Sequence, residues 1–217
     1  MPTPTEVANL ALSHIGVGKE IANLETEESQ EAKACRRYFP TALEMTLRDF
    51  PYPFARVFAA AQLVEENPTV EWGYSYRYPS TCMKLKRILS GLRNDNRQSR
   101  VPYVIGKDAQ GKLIYTDQQN AQIEYIELVT NTSHFSPDAA MALSFRLAAY
   151  IAPRLTGGDP FKMGDRAIRF YLTEVSMAKA NAVNEQQDEE LPESEFIRSR
   201  DGDTSQTGRG LDATQFP

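Results

Sequence analysis

The stretch FPYPFAR, residues 50 to 56, carries prolines at positions 51 and 53. No regular helix passes through both, because each removes a backbone donor and collides with the preceding turn. The apolar residues follow different periods on its two sides. Upstream, Val7, Leu10, Ala11 and Ile15, and then Ala32, Cys35, Phe39, Ala42, Leu43, Thr46, Leu47 and Phe50, recur at helical spacing. Downstream the segments are short and alternate, and helical spacing returns only at Ser136. This double switch predicts an α+β chain: a four-helix bundle with an inserted small antiparallel β-domain and an extended C-terminal tail. The expected boundaries are 1–50 plus 136–187 for the bundle, 51–135 for the β-domain and 188–217 for the tail.

Local signals place the helices near 4–17, 26–50, 136–156 and 160–185. Thr3, Pro4 and Glu6 read as an N-cap, a first-turn proline and the closing acid of a capping box, and Gly16 and Gly18 as the stop. Thr26, with Glu27 and Glu28 behind it, reads as the start of the second helix, and Pro40 inside that helix predicts a kink or break. Ser136-Pro137 and Asp159-Pro160 open the last two helices. Between them, strands are expected at 74–78, 82–89, 101–105, 112–116 and 121–129. The turns DAQG (108–111) and DQQN (117–120) would join them as a meander of hairpins.

In EWGYSYRYP (71–79), which spans the first of these strands, Trp72, Tyr74, Tyr76 and Tyr78 occupy every second position, a spacing that puts all four rings on one face of a strand. Rings in that pattern serve a core or a subunit interface, or stack bases or sugars. Lys84, Lys86, Arg87, Arg93, Arg97, Arg100 and Lys107 follow closely, with only Asp95 opposing them before Asp108. Arginines in a polar loop suit phosphate contact, although such loops are also commonly just solvated. Stripe and basic loop together define one functional alternative, a nucleic-acid-binding β-module.

The net charge of −5 belongs to the C-terminal segment, where eight acids and three arginines lie from Asp188 onward. The body before it is neutral and exerts no global attraction on nucleic acid. That segment is poor in core-forming residues and is expected to order only on a partner, with Phe196, Ile197 and Phe216 as anchors. No run of about 18 apolar residues predicts a membrane span. The start MPTPTEVANL lacks the basic and apolar regions of a signal peptide, so the chain is expected to stay where it is made. Cys35 and Cys82 are too few and too far apart for a disulfide framework or a zinc site and fit free thiols.

Nothing in the sequence assembles a catalytic constellation. His14 and His134 are the only histidines, and neither accompanies a nucleophile pattern. GVGK at 16–19 lacks the upstream glycine and the following Ser or Thr of a phosphate-binding loop and reads as a helix stop. The expectation is a protein without enzymatic activity, cofactor or metal.

Three segments resemble the head-to-tail adaptor proteins of short-tailed bacteriophages, the tail tubular protein A type. They are ALSHIGVGKEIANLETEESQEAKACRRYFPTALEMTLRDFPYPFA (11–55), WGYSYRYPSTCMKL (72–85) and ALSFRLAAYIAPRLTG (142–157). Their most specific elements are the alanine-to-Ile-Gly helix ending, the Glu-Ala-x-x-Cys-Arg helix leading to Leu-Arg-x-Phe-Pro, and the aromatic-Tyr-Pro segment before Cys82. Tyr52-Pro53 and Ser80-Thr81 depart from the pattern, where a tryptophan and an aspartate are more usual. The resemblance implies a structural virion protein without chemistry. It would form a twelve-fold ring that docks on the portal after DNA packaging, helps retain the DNA and carries the tail nozzle, assembled in the host cytoplasm and with no membrane partner. In such a ring Trp72, Tyr74, Tyr76 and Tyr78 would pack within the fold or between subunits. Arg93, Arg97 and Arg100 would face double-stranded DNA in the lumen or a neighbouring subunit. The tail residues Phe196, Ile197, Arg198, Arg200 and Phe216 would bind the portal.

Overall fold

The computed structural model describes residues 2–91, 101–157 and 159–185. Arg93, Arg97 and Arg100, and the tail residues Phe196, Ile197, Arg198, Arg200 and Phe216, lie outside the described residues. The helices are α1 (Pro4–His14), α2 (Gln30–Asp49), α3 (Pro137–Leu155) and α4 (Pro160–Glu185). The strands are β1 (Arg56–Ala60), β2 (Gln62–Glu66), β3 (Tyr74–Arg77), β4 (Cys82–Leu89), β5 (Val104–Asp108), β6 (Gly111–Thr116) and β7 (Gln122–Glu127). The described residues up to Ala182 form one compact unit, which contains every surface described below.

Each helix begins where side chains replace missing backbone partners. At α1, Thr3 Oγ1 accepts from the Glu6 amide at 3.2 Å and the Glu6 carboxylate accepts from the Thr3 amide at 2.8 Å, a closed capping box behind Pro4. The helix ends at His14 rather than near residue 17, and Gly16 supplies the positive φ of 78° that turns the chain away. Ser29, not Thr26, caps α2, accepting from Ala32 N. The expected start is displaced because Asn23 Oδ1 accepts from Glu25 N and Thr26 N and so commits residues 23–26 to a turn. Nor does Pro40 break α2, which runs continuously through it. Pro40 lies on the exposed side, while Phe39, Ala42 and Leu43 beside it are buried.

The helices pack through α3, against which both α1 and α2 lie. The α4 stripe Ala167, Tyr171, Val175, Ala178 and Ala182 joins the same core. Across α2, α3 and α4, Tyr171 donates its hydroxyl to Asp49 Oδ2 at 2.7 Å. Arg146 also contacts Asp49, with its guanidinium 4.7 Å from the Tyr171 ring centroid. Burial, followed by the hydrogen bond to Asp49, pushes the Tyr171 phenol up to about 12.

The β portion corrects the expected architecture. It is not a small domain inserted in a four-helix bundle but two antiparallel sheets, a three-stranded one ordered β1-β7-β4 and a four-stranded one ordered β2-β3-β6-β5. Nor is it a meander, since β7 returns to pair between β1 and β4. Strand β7 supplies the physical reason. Its residues Ile123, Glu124, Tyr125 and Ile126 are all buried, so both faces of the strand are covered. Ile123 and Tyr125 enter a core shared with Tyr76 and Ile114 of the second sheet, whereas Ile126, pointing the other way, enters the core built by the helices. The three-stranded sheet is therefore a middle layer between helices and the outer sheet. Strands β1 and β2 escape the sequence pattern because they are edges. All five residues of β2 are exposed, and β1 alternates only weakly.

Of the two turns, DAQG closes the β5–β6 hairpin. Asp108 Oδ1 accepts from Gln110 N and Gly111 N at 2.8 and 2.7 Å, and Gly111 takes φ 144°. DQQN instead carries the chain from one sheet to the other, with Asn120 at φ 51°.

A shared middle layer predicts one cooperative unfolding event for the body. Ile126→Ala should lower stability by about 3 kcal/mol, and calorimetry should show a single transition in both proteins. Two resolved transitions, with only one displaced by the substitution, would contradict the layered arrangement.

Candidate functional site

Surfaces able to carry function lie on the two sheets. In the four-stranded sheet every neighbouring pair is antiparallel, and with an even number of strands the two edges, β2 and β5, run in opposite directions. Among the described residues neither edge has a partner strand on its outer side. β2 exposes Leu63 and Val64 beside the acids Glu65 and Glu66; β5 exposes Val104 and Ile105 beside Lys107. Asp108, the remaining β5 charge, is already held by Arg77 in two hydrogen bonds of 2.9 Å. That contact is the main reason its carboxyl titrates at about 2. The free charge is thus acidic on one edge and basic on the other.

The middle sheet carries the densest electrostatic cluster. Glu124, at the centre of β7, is 2% exposed. Its carboxylate accepts from Arg87 Nε at 2.6 Å and lies 3.2 Å from Lys86 Nζ and 3.3 Å from Arg56 Nε. Two consecutive residues of β4 reach one carboxylate because the strand bulges. Leu85 is paired with Tyr125 and Arg87 with Glu124, which leaves Lys86 as the extra residue. The same bulge keeps Leu85 and Ile88, three residues apart, in the core between the sheets. Burial by itself would raise the Glu124 carboxyl, but the Arg87 hydrogen bond and the charge of Lys86 hold it below the usual glutamate value. Three cations around one carboxylate leave the cluster with a net charge of +2. Phe58, opposite Glu124 across the β1–β7 ladder and so on the same face, is 57% exposed.

Arg56, Phe58 and Glu124 are absent from the expectations drawn from sequence. The available signal was the charged Glu124 among Ile123, Tyr125 and Ile126 at the centre of QIEYIE, which calls for buried cationic partners. Of the aromatic stripe, Tyr76 is 2% exposed, donates its hydroxyl to Gln118 O at 2.8 Å and accepts from Ala121 N. Tyr74 and Tyr78 pack at the margin of the same core, and Lys112 lies 5.3 Å from the Tyr78 ring centroid. Trp72 precedes the strand, is half-buried and stands outside that core. The four positions therefore do not form one open stacking face.

A third feature is a cleft of about 480 Å³ among α1, α3 and α4, lined by His14, Phe145, Arg166 and Phe170 among others. The His14 ring stacks on Phe145 at 3.8 Å, and its Nε2 is 3.0 Å from Ser144 Oγ. Burial lowers the His14 pKa, and among the described residues no carboxylate is within ion-pairing distance of the ring, so the imidazole is neutral at pH 7. No nucleophile–base–orienter arrangement surrounds it. Among the described residues no three His, Cys, Asp or Glu side chains gather as metal ligands, and no helix is long and apolar enough to cross a membrane. Cys35 is buried, and burial pushes its thiol up to about 12. No protein-family model matches the chain, and no curated protein matches it.

Because the Glu124 carboxyl is depressed in the folded state, its stabilisation is present in full above the unfolded-state value and is lost as pH falls through the folded one. Glu124→Gln should therefore cost about 2 kcal/mol near neutral pH, below the range for a fully buried pair because the three cations are partly solvated. The deficit relative to wild type should shrink in acid. Denaturant titrations at neutral and acidic pH measure this, and an equal deficit at both would contradict an ionised Glu124.

Proposed function

We propose that this chain is a ring-forming structural adaptor of a short-tailed bacteriophage virion, a head-to-tail connector of the tail tubular protein A type. It acts by binding rather than by catalysis. Assembled in the host cytoplasm, it docks as a twelve-fold ring on the portal, helps retain packaged double-stranded DNA and receives the tail nozzle. The segments 11–55, 72–85 and 142–157 resemble that family. One structural observation carries the reading: the four-stranded sheet has two free edges that run oppositely and bear opposite free charge.

A ring of identical subunits needs two different, complementary surfaces on each copy. Turning one copy about an axis along the strands brings its β5 beside β2 of the next. With four strands per sheet that junction is antiparallel, like every junction within the sheet. At full antiparallel overlap Leu63 faces Lys107 while Glu65 and Glu66 face Ile105 and Val104, so that the two carboxylates and Lys107 share one short junction. A two-fold pairing of β2 with itself would gather four carboxylates and no cation in one short junction, which like-charge repulsion opposes. Phe161, Phe170, Leu172 and Met177, exposed on α4, add apolar area suited to burial in an assembly. In this reading Phe196, Ile197, Arg198, Arg200 and Phe216 engage the portal, and Arg93, Arg97 and Arg100 face the lumen or a neighbour.

The test is to mix purified protein with its portal and image the product by electron microscopy. The expected particle is a portal bearing twelve copies in one closed ring. Glu65→Lys with Glu66→Lys, on an exposed strand, should leave the fold intact and weaken ring formation by about tenfold or more, and Lys107→Glu in the same chain should restore it. A chain that stays monomeric beside the portal, or a ring indifferent to both charge changes, would overturn the reading.

A further inference from the structure

We infer that the Glu124-centred face of the middle sheet is a phosphodiester-binding site, taking the backbone of nucleic acid without regard to sequence. The site consists of Arg56, Lys86 and Arg87, with Phe58 at its border. It lies on strands and does not include the loop arginines Arg93, Arg97 and Arg100, and it does not depend on ring formation.

Charge balance is the first argument. A buried carboxylate needs one well-placed cation, and Arg87 Nε at 2.6 Å meets that need. Arg56 and Lys86 converge on the same carboxylate from opposite neighbouring strands, although their mutual repulsion disfavours the arrangement. A cluster of three cations on one carboxylate is suited to an incoming anion, with Glu124 as the post that fixes their positions. Arg56 Nε is buried and, despite its proximity to Glu124, makes no hydrogen bond. That leaves the Arg56 guanidinium imperfectly satisfied by the protein.

Access is the second argument. Glu124 is buried, but the cation side chains remain 25%, 29% and 44% exposed for Arg56, Lys86 and Arg87. They present charge outward from a rigid sheet rather than from a loop. Two arginines offer the planar donor forks that suit phosphate oxygens, and the lysine adds a point charge. Phe58, 57% exposed on the same face, offers an apolar ring beside the cations. Such a ring accommodates a sugar or an unstacked base. Nothing on this face distinguishes one base from another, so the contact is with the backbone.

The experiment measures binding of the full-length protein to a short DNA duplex and to a single strand of the same length by fluorescence anisotropy across a salt series. Lys86→Gln with Arg87→Gln leaves Arg56 to pair with Glu124, so the cluster becomes neutral without stranding the buried acid. This double variant should bind duplex about tenfold more weakly at low salt, and the slope of log affinity against log salt should fall by about 2. Glu124→Gln, which raises the cluster charge, should bind more tightly if it remains folded by circular dichroism. Phe58→Ala should leave duplex affinity unchanged and weaken only the single strand. An unchanged duplex affinity and salt slope in the folded double variant would overturn the proposal. So would equal competition by a polyglutamate peptide, which would make the site a receptor for carboxylates rather than phosphodiesters.

Discussion

Strand β7 is buried on both faces, and most of the architecture follows from that constraint. Its odd-numbered residues Ile123 and Tyr125 close the core between the sheets, and Ile126 closes the helical core. Both neighbouring strands must then pair with it, which draws β1 and β4 together although 21 residues separate the end of one from the start of the other. The sole acid in the buried part of the strand, Glu124, is tolerable only with cations brought to it. The bulge at Lys86 in β4 and the position of Arg56 on β1 meet that requirement. Placement of the cationic face is therefore a consequence of the packing.

The outer sheet follows a different logic. Only one of its faces meets the middle layer, through Tyr76 and Ile114, and its edges remain open. Proteins usually blunt such edges with charge or irregularity, and β2 carries two acids and a register shift between Leu63 and Glu65. The opposite edge, β5, has no comparable acidic guard, because Asp108 is held by Arg77 and Lys107 is free. An edge that repels its own copy yet complements the far edge of the same sheet is suited to head-to-tail assembly.

Helices were largely legible in the sequence because their signals are local. Thr3-Pro4-x-Glu6 and Ser136-Pro137 fix helix starts by hydrogen bonds within one turn, and the structure places α1 and α3 there. The start of α2 slipped because an Asn23 turn competes with Thr26 for the same backbone amides. Sheet order was not legible, since β7 finds its partners over separations that no local pattern records, and β1 and β2 lack the alternation of half-buried strands. Among candidate site residues, the stripe from Trp72 to Tyr78 was visible, but its division into one buried ring, two marginal rings and one outside the strand depends on the second sheet. The Glu124 cluster combines three strands and was invisible for the same reason. Strict alternation cannot place Arg87, because a single bulge reverses the face of every later residue.

The central functional claim is that the β5 edge of one copy meets the β2 edge of the next. Site-directed disulfide cross-linking tests it most directly: Glu66→Cys on β2 and Val104→Cys on β5, which face each other at full antiparallel overlap, combined in one chain and oxidised after assembly on the portal. The account predicts a ladder of covalent multimers on non-reducing gels, extending toward the full ring, with neither single substitution giving more than monomer. Absence of the ladder in an assembled ring, or covalent multimers from either single substitution alone, would contradict it.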